Sequence, residues 1–173
     1  MPTFYASPTG SASNPGTDTL PWSLTQGLAT VVAGDTLYLK AGTYPAPGGD
    51  WNRPAQQPTN SGVVGNPIVI RGKPGDVVII DAQGSRNPIG TQGQDYITFG
   101  DFSVINVGNY VPAINVGDTT GTVVDRCNVT DGIISPDGDN AQGIRLNRAL
   151  SCVIKNNLVA NVTGPSPSAC NAG

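Results

Sequence analysis

The chain has 173 residues and a formal charge of −3, enough length to bury one sizeable core and no basic excess to hold nucleic acid. All 12 acidic residues are Asp, there is no His, and Gly and Pro fill 23 and 15 positions. Glu and Lys, the usual surface residues of helices, give way to helix breakers, which excludes a helical bundle. Without His there is no Ser-His-Asp triad, Cys-His pair or His-bearing zinc site.

No run approaches the ~20 apolar residues of a membrane span, so no membrane partner is expected. Met1-Pro2-Thr3-Phe4-Tyr5 lacks the basic and apolar parts of a secretory leader, so a leader has been removed or export takes another route. Pro21 to Ala29 predicts a short amphipathic helix, with Trp22 packing it onto the first coil. A strand follows at Thr36–Leu39, and Thr43 to Asn66, rich in Pro, Gly and Gln, predicts a long loop. Next come a strand at Ile68–Ile70, a turn at Lys73-Pro74-Gly75-Asp76 and a strand at Val77–Asp81.

The second half repeats. Ile97–Val107, Thr122–Gly132 and Cys152–Val162 align without gaps at offsets of 25 and 30 residues. Phe99 then meets Val124 and Ile154, and Val104 meets Val129 and Val159; at the offset of 30, Ile114 meets Ile144 and Val116 meets Leu146. Each segment has β-branched residues at period 2, which predicts strands. Strands recurring at this spacing without a helix between them predict a solenoid whose apolar columns fill the interior. The column Asn106/Asp131/Asn161 predicts a tight turn, because Asn and Asp best tolerate left-handed backbone. Cys127, Cys152 and Cys170 make an odd count without a CxxC pair, which excludes a disulfide framework. Cys127 aligns with Phe102 and is expected to be an inert core thiol.

Phe4-Tyr5-Ala6-Ser7-Pro8-Thr9-Gly10, Asn14-Pro15-Gly16-Thr17 and Leu20-Pro21-Trp22 resemble the opening of right-handed parallel β-helices of the pectate-lyase-like superfamily. Ala33-Gly34-Asp35-Thr36 through Tyr44, Gly65-Asn66-Pro67-Ile68 through Arg71, and Cys152-Val153-Ile154-Lys155-Asn156-Asn157 carry the same resemblance. It covers nearly the whole chain, and the opening is most similar to polysaccharide lyases of the chondroitinase B and alginate lyase kind. The resemblance implies an all-β, right-handed parallel β-helix with a short N-terminal capping helix. Residues 1–34 would form the cap region, 35–163 the coils, and 164–173 a tail or the start of a further coil. It also implies β-elimination at a uronic acid of an acidic polysaccharide or other glycan, a Lys or Arg base, and often calcium held by Asp and Asn. The polygalacturonase type, which pairs Asp with a nearby His, is disfavoured. A non-catalytic carbohydrate-binding, adhesive or phage tail-fibre module is the alternative, and either reading places the protein outside the cell or on a virion.

The coil lengthens from 25 to 30 residues within Gly132 to Gly143. Insertions of this kind become loops, often on the binding face. Asp137, Asp139 and Asn140 in that insertion are hard oxygen donors suited to calcium, or ordinary turn residues. Elimination needs a base and a cation to meet the charge that develops on the carboxylate. Among the basic residues, Arg126 aligns with Asp101, Lys155 with Asp125 and Arg148 with Asp118, so rungs ~4.8 Å apart offer each an acidic neighbour. Arg145 aligns with Asn115 instead, and is the catalytic candidate. Arg148 and Trp51 are candidate substrate-binding residues; Trp51 either stacks on a sugar ring or pins its loop. Asn128-Val129-Thr130 and Asn161-Val162-Thr163 match the glycosylation sequon, but the repeat columns already explain them. No cap pattern follows Asn161, so the last coil is expected to need further coils or a partner subunit as cover.

Overall fold

The computed structural model describes residues 1–50, 53–108, 112–130 and 142–160. Among the described residues, fourteen strands form three parallel sheets that stack coil upon coil, and one helix stands beside them. The first sheet runs β1 (Thr3–Ala6), β2 (Thr36–Leu39), β4 (Ile68–Gly72), β7 (Ile97–Gly100), β10 (Val123–Asp125) and β13 (Val153–Lys155). The second runs β3 (Gly42–Pro45), β5 (Val78–Asp81), β8 (Ser103–Ile105), β11 (Asn128–Val129) and β14 (Leu158–Val159). The third is β6 (Ile89–Gln92), β9 (Pro112–Thr120) and β12 (Gln142–Leu150). Every strand pair is parallel, as in a parallel β-helix.

Alternation within strands decides which residues enter the core. In the first sheet Phe4, Leu37, Ile70, Phe99, Val124 and Ile154 stand in one inward column. Tyr44, Ile80, Val104, Val129 and Val159 form the matching column of the second. The third contributes Ile89, Ile114 and Ile144, with Thr91, Val116 and Leu146 beside them. The columns read from the 25- and 30-residue offsets are therefore the rungs of the core. Phe99, Val104 and Val124 are fully buried, whereas on the last described coil Ile154, Val159 and Leu146 are 39%, 47% and 49% exposed.

Two elements differ from expectation. Each repeat segment is two strands and not one, because the chain turns a corner at Asp101, Arg126 and Asn156, with φ of 56°, 53° and 55°. Asp101 and Asn156 suit a left-handed corner, but the Arg126 between them in the column does not, which masked the turn. The predicted loop over residues 43–66 opens with the end of β3, since Tyr44 alternates inward and is buried although Pro and Gly surround it. Asn106 is left-handed as predicted (φ 52°) and its Nδ2 donates to Asp81 Oδ1 at 3.0 Å; Asp131 and Asn161 lie outside the described residues.

The first coil is covered by α1 (Leu24–Thr30). Ser23 caps it with extended backbone (φ −67°, ψ 157°), its hydroxyl accepting from the Gln26 amide. Leu24 and Leu28 are buried, and Gly27 lets the helix close onto Leu37, whose Cδ2 would lie 2.8 Å from an added Cβ. Trp22 precedes the helix, stacks on Phe4 with ring centroids 4.8 Å apart, and donates Nε1–H to Asn14 O at 2.6 Å. No helix among the described residues is long and apolar enough to cross a membrane.

Candidate functional site

Arg145 and Arg148 both lie on β12, the last strand of the third sheet. The register sets Gly90, Asn115 and Arg145 on one outward column and Gln92, Gly117 and Asn147 on the next. Both glycines are demanded by close approach. A Cβ on Gly90 would sit 2.0 Å from Asn115 O, and one on Gly117 would sit 2.6 Å from Gln92 Oε1 and 3.2 Å from Asn115 Nδ2. Gly90 lets the Asn115 backbone approach, and the missing side chain of Gly117 makes room for the amides of Gln92 and Asn115.

Those amides connect the two arginines. Arg145 Nε donates to Asn115 Oδ1 at 3.0 Å, and Asn115 Nδ2 donates to Gln92 Oε1 at 3.5 Å. Gln92 Nε2 donates to Asp118 Oδ2, and Arg148 donates Nε to Asp118 Oδ1 and Nη2 to Oδ2, the last at 2.6 Å. Asn115 is fully buried, so its amide fixes the half-buried Arg145 guanidinium in one orientation. Arg148 is 69% exposed along its side chain. The hydrogen bond from Arg148 holds the Asp118 carboxyl below the usual carboxylate range, against burial, which raises it. Rung neighbours are thus as aligned: neutral Asn115 beside Arg145, acidic Asp118 beside Arg148. Gln92 is the member that sequence reasoning missed. Its signal was available, since the offset of 25 that joins Gly117 to Gln92 also joins Ile114 to Ile89.

A second cluster lies at the corner between the first two sheets. Asp101 accepts from Arg71 on the preceding rung and from Arg126 on the following one, with Arg126 Nε–Asp101 Oδ1 at 2.7 Å. Arg126 Nη1 also reaches Asp125 Oδ2 at 2.6 Å, and Asn156 Nδ2 donates to Asp125 Oδ1 at 2.9 Å. Asp125 stands opposite Lys155 as predicted. Burial raises the Asp101 carboxyl, but hydrogen bonds and charge from Arg126 and Arg71 outweigh it and hold the group below its ordinary range. A shallow groove of about 240 Å³ runs beside this ladder, lined by Asp76, Asp101, Ser103, Arg126 and Asn128 among others.

Calcium needs several oxygen donors free to turn toward one point. Among the described residues no three acidic, His or Cys side chains come together, and where Asp101 and Asp125 approach, the Arg126 guanidinium bonds to both. The ladder does not fit the ion. Asp137, Asp139, Asn140 and Trp51 lie outside the described residues.

The sequence profile described as "Pel9A-like, right handed beta helix region" matches residues 4–165. Among solved structures, the pectate lyase Pel9A superposes with a TM-score of 0.60 at 22% identity, covering 88% of this chain and 47% of that one. A rhamnogalacturonan lyase superposes with a TM-score of 0.51 at 18% identity, covering 95% of this chain and 60% of that one. This chain therefore spans about half the length of these structures, and at such identities the likeness is one of fold. No curated protein sequence gives a significant match. With its parallel coils, inward apolar columns and helical cap, the chain belongs to the Pel9A-like right-handed β-helix family.

Proposed function

We propose that the chain acts on an acidic polysaccharide by β-elimination at a uronate, with Arg145 facing the substrate carboxylate. The observation that carries this reading is a half-buried guanidinium on the outer face of the third sheet, held through Nε by the buried amide of Asn115 on the preceding rung. The neighbouring folds, a pectate lyase and a rhamnogalacturonan lyase, support the same substrate class. In the elimination a base takes the proton from the carbon that bears the carboxylate. The electron pair forms the new C=C bond, the bond to the glycosidic oxygen breaks, and the leaving oxygen is protonated. Negative charge builds on the carboxylate as the C–H bond breaks. A guanidinium stays protonated throughout, so Arg145 serves as the fixed cation that meets this charge. Arg148, largely exposed and paired with Asp118, contributes binding along the glycan. Calcium at Asp137, Asp139 and Asn140 is a further part of the proposal, and a secreted or virion-borne setting goes with it. Further coils or a partner subunit over the last coil belong to it too.

The test follows ultraviolet absorbance of the unsaturated product on a panel of uronate polysaccharides, with calcium and with chelator. Arg145→Ala should lower turnover by ~10²–10³-fold, the usual cost of removing one fixed group that stabilises developing charge. Full activity in Arg145→Ala would discard the site. Silence from folded wild-type protein on every uronate would discard the enzyme. The reading then favoured is a non-catalytic glycan-binding module, which the acid-paired state of Arg71, Arg126 and Arg148 already suits.

A further inference from the structure

The outer face of the first sheet carries an aromatic feature remote from β12 in the chain. Phe4 and Leu37 point inward, so Tyr5 and Tyr38 are the outward residues of β1 and β2, and they stand in register. Their ring centroids are 5.9 Å apart with planes inclined at 32°, and both side chains are partly exposed. The neighbouring outward column holds only Thr3, Thr36, Val69 and Thr98 across the same rungs, so the two rings form the prominent strip of this face.

Polar groups gather where these strands end. Lys40 and Lys73 both pair with Asp18, at 2.8 Å and 2.7 Å, and Lys73 Nζ lies 5.4 Å from the centre of the Tyr5 ring. Lys40 in turn lines an open depression of about 460 Å³ with Ser7, Thr9, Thr19, Pro21 and Asp76. Asp18 and Asp76 offset the two lysines, so the region offers hydroxyl, ammonium and carboxylate groups without net charge. A ring strip beside donors and acceptors of balanced charge suits a pyranose: its C–H face packs on an aromatic ring, and its hydroxyls both donate and accept. Carboxylated sugars gain nothing here from charge.

We propose that Tyr5, Tyr38 and the Lys40-lined depression bind neutral pyranose units of a glycan, at a site separate from Arg145. The proposal does not rest on elimination activity. Affinity electrophoresis in native gels containing galactan, xylan or galactomannan, with polygalacturonate as the acidic comparison, tests it. Wild type should be retarded by at least one neutral glycan. Tyr38→Ala should weaken that retardation about tenfold, Tyr38→Phe should preserve it, and Lys40→Gln should weaken it several-fold. Circular dichroism checks the fold of each variant, and Lys40→Gln decides the matter if Tyr38→Ala unfolds. The proposal is overturned if no neutral glycan retards wild type, or if folded Tyr38→Ala and Lys40→Gln both migrate as wild type does.

Discussion

Tyr44 shows how single side chains tie one coil to the next. Its ring fills the second sheet's inward column, and its hydroxyl lies 2.9 Å from Ala6 O and 2.8 Å from Lys40 O. Burial pushes its phenol well above the ordinary range. Tyr44→Phe keeps the ring and removes the donor, so chemical denaturation should show a loss of about 1 kcal/mol. Cys127 behaves as its alignment with Phe102 implied. It is fully buried, and burial pushes its thiol up to about 12. Because the thiolate is the reactive form, native protein at pH 8 should resist alkylation at Cys127, with labelling appearing only on unfolding; peptide mass mapping checks this. Labelling of Cys127 at the rate of a free thiol in folded protein would contradict the buried column. Trp22, expected to pack the helix onto the first coil, stands ahead of the helix and stacks on Phe4 of that coil.

At the scale of strands and corners, what could be read from the residues depended on constant offsets. Phe99, Val124 and Ile154 align because the offset stays constant along each pair of described strands. The coil before them does not share the offset: Arg71 pairs in register with Gly100, 29 residues on. That change of length hid the Arg71–Asp101 contact while leaving Arg126–Asp101 visible. Asp18, Asp101 and Asp118 are all held below the usual carboxylate range. Hydrogen bonds from Lys40 and Lys73 do this at Asp18, those from Arg126 and Arg71 overcome burial at Asp101, and that from Arg148 acts at Asp118. A depressed folded-state pKa adds stability above the unfolded value, and that stability is lost as pH falls through the folded value. The urea midpoint should therefore be flat through the carboxylates' charged range and decline once pH drops below about 4. Asp101→Asn should shrink that acid-dependent decline. An unchanged slope would mean that the ladder does not couple to folding.

For the whole molecule, the β-helix was legible because every level pointed the same way: Asp in place of Glu, few Lys, many turn residues, and apolar positions recurring in columns. The site was legible only in part. Arg145 stood out by its neutral neighbour, and the 25-residue offset was enough to place Gln92 beside Gly117, but the burial of Asn115 and the reach of Gln92 to Asp118 show only in the packing, where Gly117 leaves room for both amides. Contact between Arg145 and a substrate carboxylate is measured by the ratio of elimination rates on polygalacturonate and on its methyl ester, in wild type and in Arg145→Ala. Wild type should prefer the free acid and the variant should lose most of this preference along with its rate, because a guanidinium gains more from a carboxylate than from an ester. An unchanged ratio in the variant would contradict that contact.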